Sequence, residues 1–238
     1  MRRTLLLPRD GDEPEVDRRL VLDEMATDDA EGGLNLQMVT LLSLGIDGMK
    51  QAALTNTLPT SGLQHGLQAS LERGFIGGAT VGSDQLATGG IEVSRYAAMG
   101  ISASWMEEAL RSQIGLINGN TSRKLLDLIA KMEENEYSFD WLEWKMQDLF
   151  GKHRAEGIGI TVTTIAYVVG AILTYRVSRL VDLIQIFTSR DERVCRICRP
   201  LHLRIYPLTG HPVLGLPAFH TRCRCYTAPV IDRLPSRS

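Results

Sequence analysis

The sequence predicts an α+β protein that is mainly helical in its N-terminal and central regions and ends in a small β-hairpin module. Three observations support this prediction. Apolar residues recur at helical spacing between about residues 34 and 175, the next segment alternates like a strand, and all four cysteines lie in the last fifth of the 238 residues. A chain of this length with 44% hydrophobic residues can bury a core.

The first 33 residues are predicted to be an acidic arm. Residues 1–31 carry ten acidic side chains against five arginines, and Gly32-Gly33 follows them. A short helix is expected around Arg18, but ordering so polar a segment requires a partner surface. The apolar run Leu5–Leu7 is too short for a secretory leader, so we expect a reducing cytosol, where closely spaced cysteines bind metal or act as catalytic thiols.

Residues 34–136 are predicted to be a helical region that contains a glycine-rich loop. Apolar spacing predicts a helix over 34–58, weakened at Gly45 and Gly48 and closed by Pro59.

The glycine-rich stretch 74–90 lacks the Lys-Ser/Thr pair of a phosphate-binding loop, and we predict a mobile loop or an irregular hairpin there. Capping residues and glycine stops predict three helices after it, over about 104–118, 121–135 and 138–150, with Gly119 ending the first.

The segment Gly157–Tyr175 carries no charged residue and is nearly long enough to span a bilayer. On a helix it presents one stripe of β-branched residues and a second stripe of small ones, among them Gly159 and Gly170. Its four threonines and three glycines make membrane insertion marginal. We therefore favour a buried helix that a second helix approaches closely, with a membrane-associated protein as the alternative.

The cysteines form the pattern C-x2-C, twenty-one residues, H-x2-C-x-C. Zinc prefers four thiolate or imidazole ligands in a tetrahedron, and a C-x2-C turn presents two of them. Our first choice is Cys195, Cys198, His220 and Cys223, with Cys225 replacing either Cys223 or His220 as the alternative. Buried reduced thiols without metal are the competing interpretation. The predicted module is therefore a zinc-braced β-hairpin, formed by a strand over 183–188 and a hairpin over 203–208.

These residues resemble a known family. The stretches "FTSRDERVCRICRPLHLRIYPL" and "LPAFHTRCRCYTAPV" are similar to the C-terminal signature of the Mu F-like, or SPP1-type, head morphogenesis proteins of tailed bacteriophages. Upstream, Ala166, Tyr167 and Gly170 fit the long helix of that family, whose Arg-Thr-Glu core is replaced here by Ile160, Thr161 and Val162. The matching C-terminal positions are Thr188, Asp191, Arg193, Val194, Cys195, Cys198, Leu201, Pro207, Pro217, His220, Cys223, Arg224, Cys225 and Pro229.

The resemblance covers about residues 139–230 and implies a Mu F-like domain over 137–238. It implies a non-enzymatic minor head protein of the virion, made in the host cytoplasm, which associates with the portal or major capsid protein. Arginines around the cysteines would suit an acidic partner surface or the phosphates of packaged DNA. These arginines are Arg193, Arg196, Arg199, Arg222 and Arg224.

The main alternative is a zinc-containing endonuclease of the HNH type, in which His202 or His211 would be the catalytic base. This alternative is weakened because no asparagine follows Asn135 and no helical pattern follows the last cysteine.

Overall fold

A computed structural model describes residues 5–6, 18–188, 194–208 and 216–232. It confirms the predicted class, since 70% of the chain is helical and a small antiparallel sheet accompanies the helices. The helices are α1 Arg18–Ser43, α2 Gly45–Leu54, α3 Ser61–Thr88, α4 Arg95–Glu134, α5 Phe139–Phe150 and α6 Lys152–Ser178. The strands are β1 Leu5–Leu6, β2 Leu183–Phe187, β3 Ile205–Pro207 and β4 Tyr226–Asp232.

Helix α1 begins at Arg18, where a short helix was expected, but it continues through Gly32-Gly33 to Ser43. Helix α1 thus crosses residue 33, the predicted end of the arm, and Ala30 and Leu34 on either side of it are fully buried. A Cβ atom on Gly33 would lie 2.7 Å from the carbonyl oxygen of Gly62, so this glycine lets α1 and α3 approach closely. The arm residues 7–17 lie outside the described residues.

The helix predicted over 34–58 is divided between α1 and α2. Gly45 has a φ of +68°, a left-handed conformation that glycine adopts without strain, and the chain bends there. Two further helix predictions are wrong in the opposite sense, because 104–118 and 121–135 belong to the single helix α4. Gly119 does not end the first of them, since Asn118 and Thr121 on either side of it are buried against neighbouring helices.

The prediction of a loop over 74–90 is also wrong, because residues 74–88 lie within α3. Gly74, Gly78 and Gly82 follow one another at intervals of four and form one face of this helix, which lies against α6. A Cβ atom on Gly74 would lie 2.6 Å from the carbonyl oxygen of Thr163, and one on Gly78 would lie 2.6 Å from the carbonyl carbon of Tyr167. These glycines therefore allow backbone-to-backbone contact rather than flexibility.

Helix α6 contains the apolar segment Gly157–Tyr175 and forms the centre of the helical layer. Its small residues face α3, and a Cβ atom on Gly170 would lie 2.9 Å from the backbone nitrogen of Ala79. The stretch Phe139–Ser178 has the length and apolarity of a membrane span, but 72% of its most apolar window is buried inside the fold. The predicted close approach of a second helix is confirmed.

The sheet has the order β1-β4-β2-β3, with every described pair antiparallel. Strand β2 matches the strand predicted over 183–188. Residues 203–208, predicted to form a hairpin, contain the single strand β3, which pairs with β2 in the register Leu183↔Pro207. Ile184 and Ile231 pack with Tyr175 of α6 and Leu86 of α3 in a second hydrophobic cluster. The helical layer thus supports one face of the sheet, and the cysteine loops leave from its ends.

Candidate metal centre

Two loops supply the cluster. The first follows β2 and carries Cys195 and Cys198; the backbone N–H of Cys198 donates to the Cys195 sulfur at 3.3 Å. Such a bond orients the first thiolate of a C-x2-C turn. The second loop precedes β4, and the backbone N–H of Cys223 donates to the carbonyl oxygen of His220 at 3.1 Å. Each loop is thus folded tightly enough to present its ligand atoms from a fixed backbone.

All five predicted ligand residues come together. The Nε2 atom of His220 lies 3.0 Å from the sulfurs of both Cys195 and Cys198. The sulfurs of Cys198 and Cys223 are 3.9 Å apart, close to the ~3.8 Å expected of two thiolates about 2.3 Å from one zinc ion in a tetrahedron. The ligand atoms of Cys195, Cys198 and His220, and likewise those of Cys198, Cys223 and Cys225, lie within 4.8 Å of one another.

The imidazole of His220 is oriented for a metal. Its Nδ1 atom lies 2.7 Å from the carbonyl oxygen of Thr221, which can only accept, so Nδ1 carries the proton. The unprotonated Nε2 therefore points its lone pair at the sulfurs, the arrangement that metal-binding histidines commonly adopt. Together with the four cysteine thiols, three buried and one half-buried, this imidazole forms a donor set that could bind a metal ion.

In the absence of a cation the thiols do not ionise equally. A hydrogen bond from the Cys225 thiol lowers the pKa of Cys223 to about 5. Burial raises the pKa of Cys198 to about 12, and the bond to Cys223 raises the pKa of Cys225. Burial would also raise the pKa of Cys195, but hydrogen bonds from the backbone at Cys198 lower it overall. Several thiolates this close repel one another, and a bound cation would let them ionise together.

The second loop is hydrogen-bonded to helix α6. The hydroxyl of Thr164 donates to the carbonyl oxygen of Cys223 at 2.7 Å, and the backbone N–H of Arg222 donates to the hydroxyl of Thr161 at 2.9 Å. A Cβ atom on Gly157 would lie 3.2 Å from the Arg222 side chain. The loop that carries two or three of the ligands is therefore seated on one face of α6.

The arginines predicted to face a partner differ in their surroundings. Arg222 is half-buried and donates to the Glu156 carboxylate at 3.0 Å and to the carbonyl oxygen of His153 at 2.6 Å, so it fastens the loop to α6. Arg196 and Arg199 are exposed, whereas Arg224 is half-buried. Arg193 lies outside the described residues.

His202, one of the two histidines of the nuclease alternative, does not join the cluster. The Nδ1 atom of His202 accepts the backbone N–H of Thr188 at 3.2 Å, and the ring meets Phe187 edge-on with 6.0 Å between centroids. His202 belongs to neither group of potential metal ligands. His211 lies outside the described residues.

Sequence reasoning missed Thr161, Thr164 and Glu156, which position the loop. The available signal was the presence of hydroxyls and a carboxylate at the N-terminal half of an otherwise apolar helix, where they need a hydrogen-bonding partner. A scan against family models and searches of curated proteins and solved structures find no match to this chain. The site therefore has to be interpreted from its own geometry.

Proposed function

We propose that the chain is a non-enzymatic assembly protein of a tailed-phage head and that a structural zinc ion braces its C-terminal module. The observation that carries the proposal is the position of the cysteine cluster. Its two loops leave the sheet at β2 and β4, and Thr161 and Thr164 attach the second loop to α6. An ion at this point would join sheet to helix, which is a bracing role.

Zinc suits the donor set better than other divalent ions. Three or four thiolates and an imidazole are soft or borderline ligands, and zinc takes them in a tetrahedron without a geometric preference of its own. We assign Cys195, Cys198, His220 and Cys223 as ligands, with the Cys225 thiol as the hydrogen-bond donor to the Cys223 sulfur. Since four protein ligands complete the coordination, no position is left for a substrate or an activated water.

The assembly role rests on the resemblance to Mu F-like proteins and on two properties of the module. Its described surface is basic through Arg196 and Arg199, which are exposed. The described parts of its loops are folded by backbone hydrogen bonds, so they would present that surface rigidly to the portal protein, to the major capsid protein or to packaged DNA. We place the protein in the virion near the portal, after synthesis in the host cytoplasm, with its apolar helix packed internally rather than in a membrane.

The test combines metal analysis with assembly. Protein purified without chelator should contain about one zinc per chain, and tagged protein should capture the portal or capsid protein from cells that express both. Particles made without this chain should be altered in composition, DNA content or infectivity. If such particles are normal, the assembly role is wrong. If the purified chain cuts DNA with a metal ion and His202→Ala abolishes the cutting, the nuclease alternative replaces it.

A further inference from the structure

An acidic aromatic surface lies between the end of α4 and the first half of α5. The twelve residues from Glu133 to Trp144 contain five acidic side chains and no basic one. Tyr137, Phe139 and Trp144 are exposed, and 58% of Trp144 is accessible to solvent. Three exposed large aromatic side chains within one short stretch of chain are typical of protein interaction surfaces rather than of ordinary solvated helices.

The carboxylates of this acidic aromatic surface are available to a partner. Glu134, Glu136, Asp140 and Glu143 are exposed and form no ion pair within the described part of the chain. The ring of Trp144 already receives a cation, since the ammonium of Lys145 lies 4.0 Å from its centroid. The exposed carboxylates would attract arginine side chains, which also stack on aromatic rings such as those of Tyr137 and Phe139.

A basic apolar surface with the opposite properties lies on the cysteine module. The segment from Val194 to Leu208 contains three arginines, Arg196, Arg199 and Arg204, and no acidic residue. All three are exposed and form no ion pair among the described residues. Between them Ile197 is 57% accessible at the tip of the C-x2-C turn, and Leu203 and Ile205 are also exposed.

This segment is compact enough to act as one surface. Successive backbone hydrogen bonds fold it: Arg199 N–H to the Cys195 oxygen at 3.0 Å, Leu201 N–H to the Cys198 oxygen at 2.9 Å, and Arg204 N–H to the Leu201 oxygen at 3.1 Å. Strand β3 then continues it at the edge of the sheet. The arginines and the exposed apolar side chains are therefore presented by a short, tightly turned piece of backbone.

We propose that the acidic aromatic surface of one copy binds the basic apolar surface of a second copy. Charge complementarity between the two surfaces supports this pairing. The exposed apolar side chains of both surfaces support it as well. Ile197 and Ile205 would be buried by Tyr137 and Trp144, whereas they would gain nothing from contact with a phosphate backbone. Since two different surfaces meet, the contact is head-to-tail, and repetition gives a closed ring or an open filament. The inference does not rest on the assembly role proposed above.

The test uses one variant for each surface of the full-length protein. The first combines Glu136→Lys with Trp144→Ala, and the second combines Arg196→Glu with Ile197→Ser. All four side chains are exposed, so the fold should persist, which circular dichroism and zinc content would check. The charge-matched controls are Asp84→Lys on α3 and Lys124→Glu on α4, both exposed residues outside the two surfaces.

Sedimentation velocity at concentrations up to about 100 µM should give a mass that rises with concentration for wild type and controls and falls on adding salt. Each surface variant should remain monomeric. Their equimolar mixture should form a 1:1 dimer and nothing larger, because each variant retains only one working surface. A monomeric wild type, surface variants that associate like wild type, or a mixture that contains only monomers would each overturn the proposal.

Discussion

Replacing Gly78 with alanine adds one methyl group at the closest contact between α3 and α6. The new Cβ atom would lie 2.6 Å from the carbonyl carbon and 2.8 Å from the Cα atom of Tyr167, and closer still to its carbonyl oxygen. All three atoms belong to the backbone of α6, so no side chain can rotate away. The two helices would have to separate along the face that also contains Gly74 and Gly82.

The size of the effect follows from two opposing contributions. Overpacking a core by a methyl group costs about 1 to 3 kcal/mol, and a backbone-to-backbone contact belongs at the upper end because the relief requires moving a whole helix. Alanine is favoured over glycine in a helix by about 1 kcal/mol. The free energy of unfolding should therefore fall by about 2 kcal/mol for Gly78→Ala.

The chain offers a matched control in Gly115 of α4. A Cβ atom there meets no other atom within 4 Å, so Gly115→Ala keeps the gain in helix propensity without the clash and should raise the free energy of unfolding by up to about 1 kcal/mol. Gly77→Ala is a second control, since its Cβ atom would lie an ordinary 3.7 Å from the Tyr167 ring. The same chemical change thus has opposite predicted signs at two helical positions.

Urea unfolding followed by circular dichroism measures these differences, provided that the slope with denaturant is unchanged among the variants. The midpoint should move down for Gly78→Ala and up for Gly115→Ala. If Gly78→Ala is as stable as Gly115→Ala, α3 does not pack on α6 through its glycine face, and the original prediction of a loop over 74–90 would have to be reconsidered.

Three further predictions concern the metal and α6. Cys198→Ser should abolish zinc binding and unfold the C-terminal module, whereas Cys225→Ser should retain the zinc with weaker affinity. Elemental analysis measures the zinc content of both variants, and equal contents would contradict the ligand assignment. Thr164→Val should lower the free energy of unfolding by about 1 to 3 kcal/mol, because the buried Cys223 carbonyl loses its hydrogen-bond donor. Thr164→Ser keeps a hydroxyl and should restore most of that stability. Equal urea midpoints for the two variants would refute the role of Thr164 in holding the loop. After a carbonate wash the protein should stay out of the membrane pellet, and its recovery there would contradict the buried helix.

The elements that the sequence predicted well are those whose signals are local. Ser138 caps α5 by accepting the backbone N–H of Trp141 at 3.3 Å, as its position before an apolar helix indicates. The short apolar run Leu183–Phe187, whose last four residues are buried, and the C-x2-C and H-x2-C-x-C spacings likewise depend on residues within a few positions of one another. Such patterns need no knowledge of the rest of the fold.

The elements that it predicted poorly depend on distant partners. The glycines over 74–90 act as loop signals in isolation, and only α6, some ninety residues later, makes them a helix face. Their spacing of four was the usable sign, since Gly66, Ser70, Gly74, Gly78 and Gly82 are all buried on α3. In the same way, Arg222 was assigned to a partner because its charge is visible in the sequence, while its pairing with Glu156 across sixty-six positions is not.

The threonines of α6 connect its two roles. A helix that only packed against α3 would need small side chains, and alanine has a higher helix propensity than threonine. Thr161 and Thr164 instead hydrogen-bond the loop that carries His220 and Cys223, while Thr174 donates to the carbonyl oxygen of Gly170 at 2.9 Å within the helix. Two of the four threonine hydroxyls in this apolar segment, those of Thr161 and Thr164, thus have their partners at the cysteine loop. The segment is as apolar as a membrane span because most of it is buried against α3 and the cysteine module.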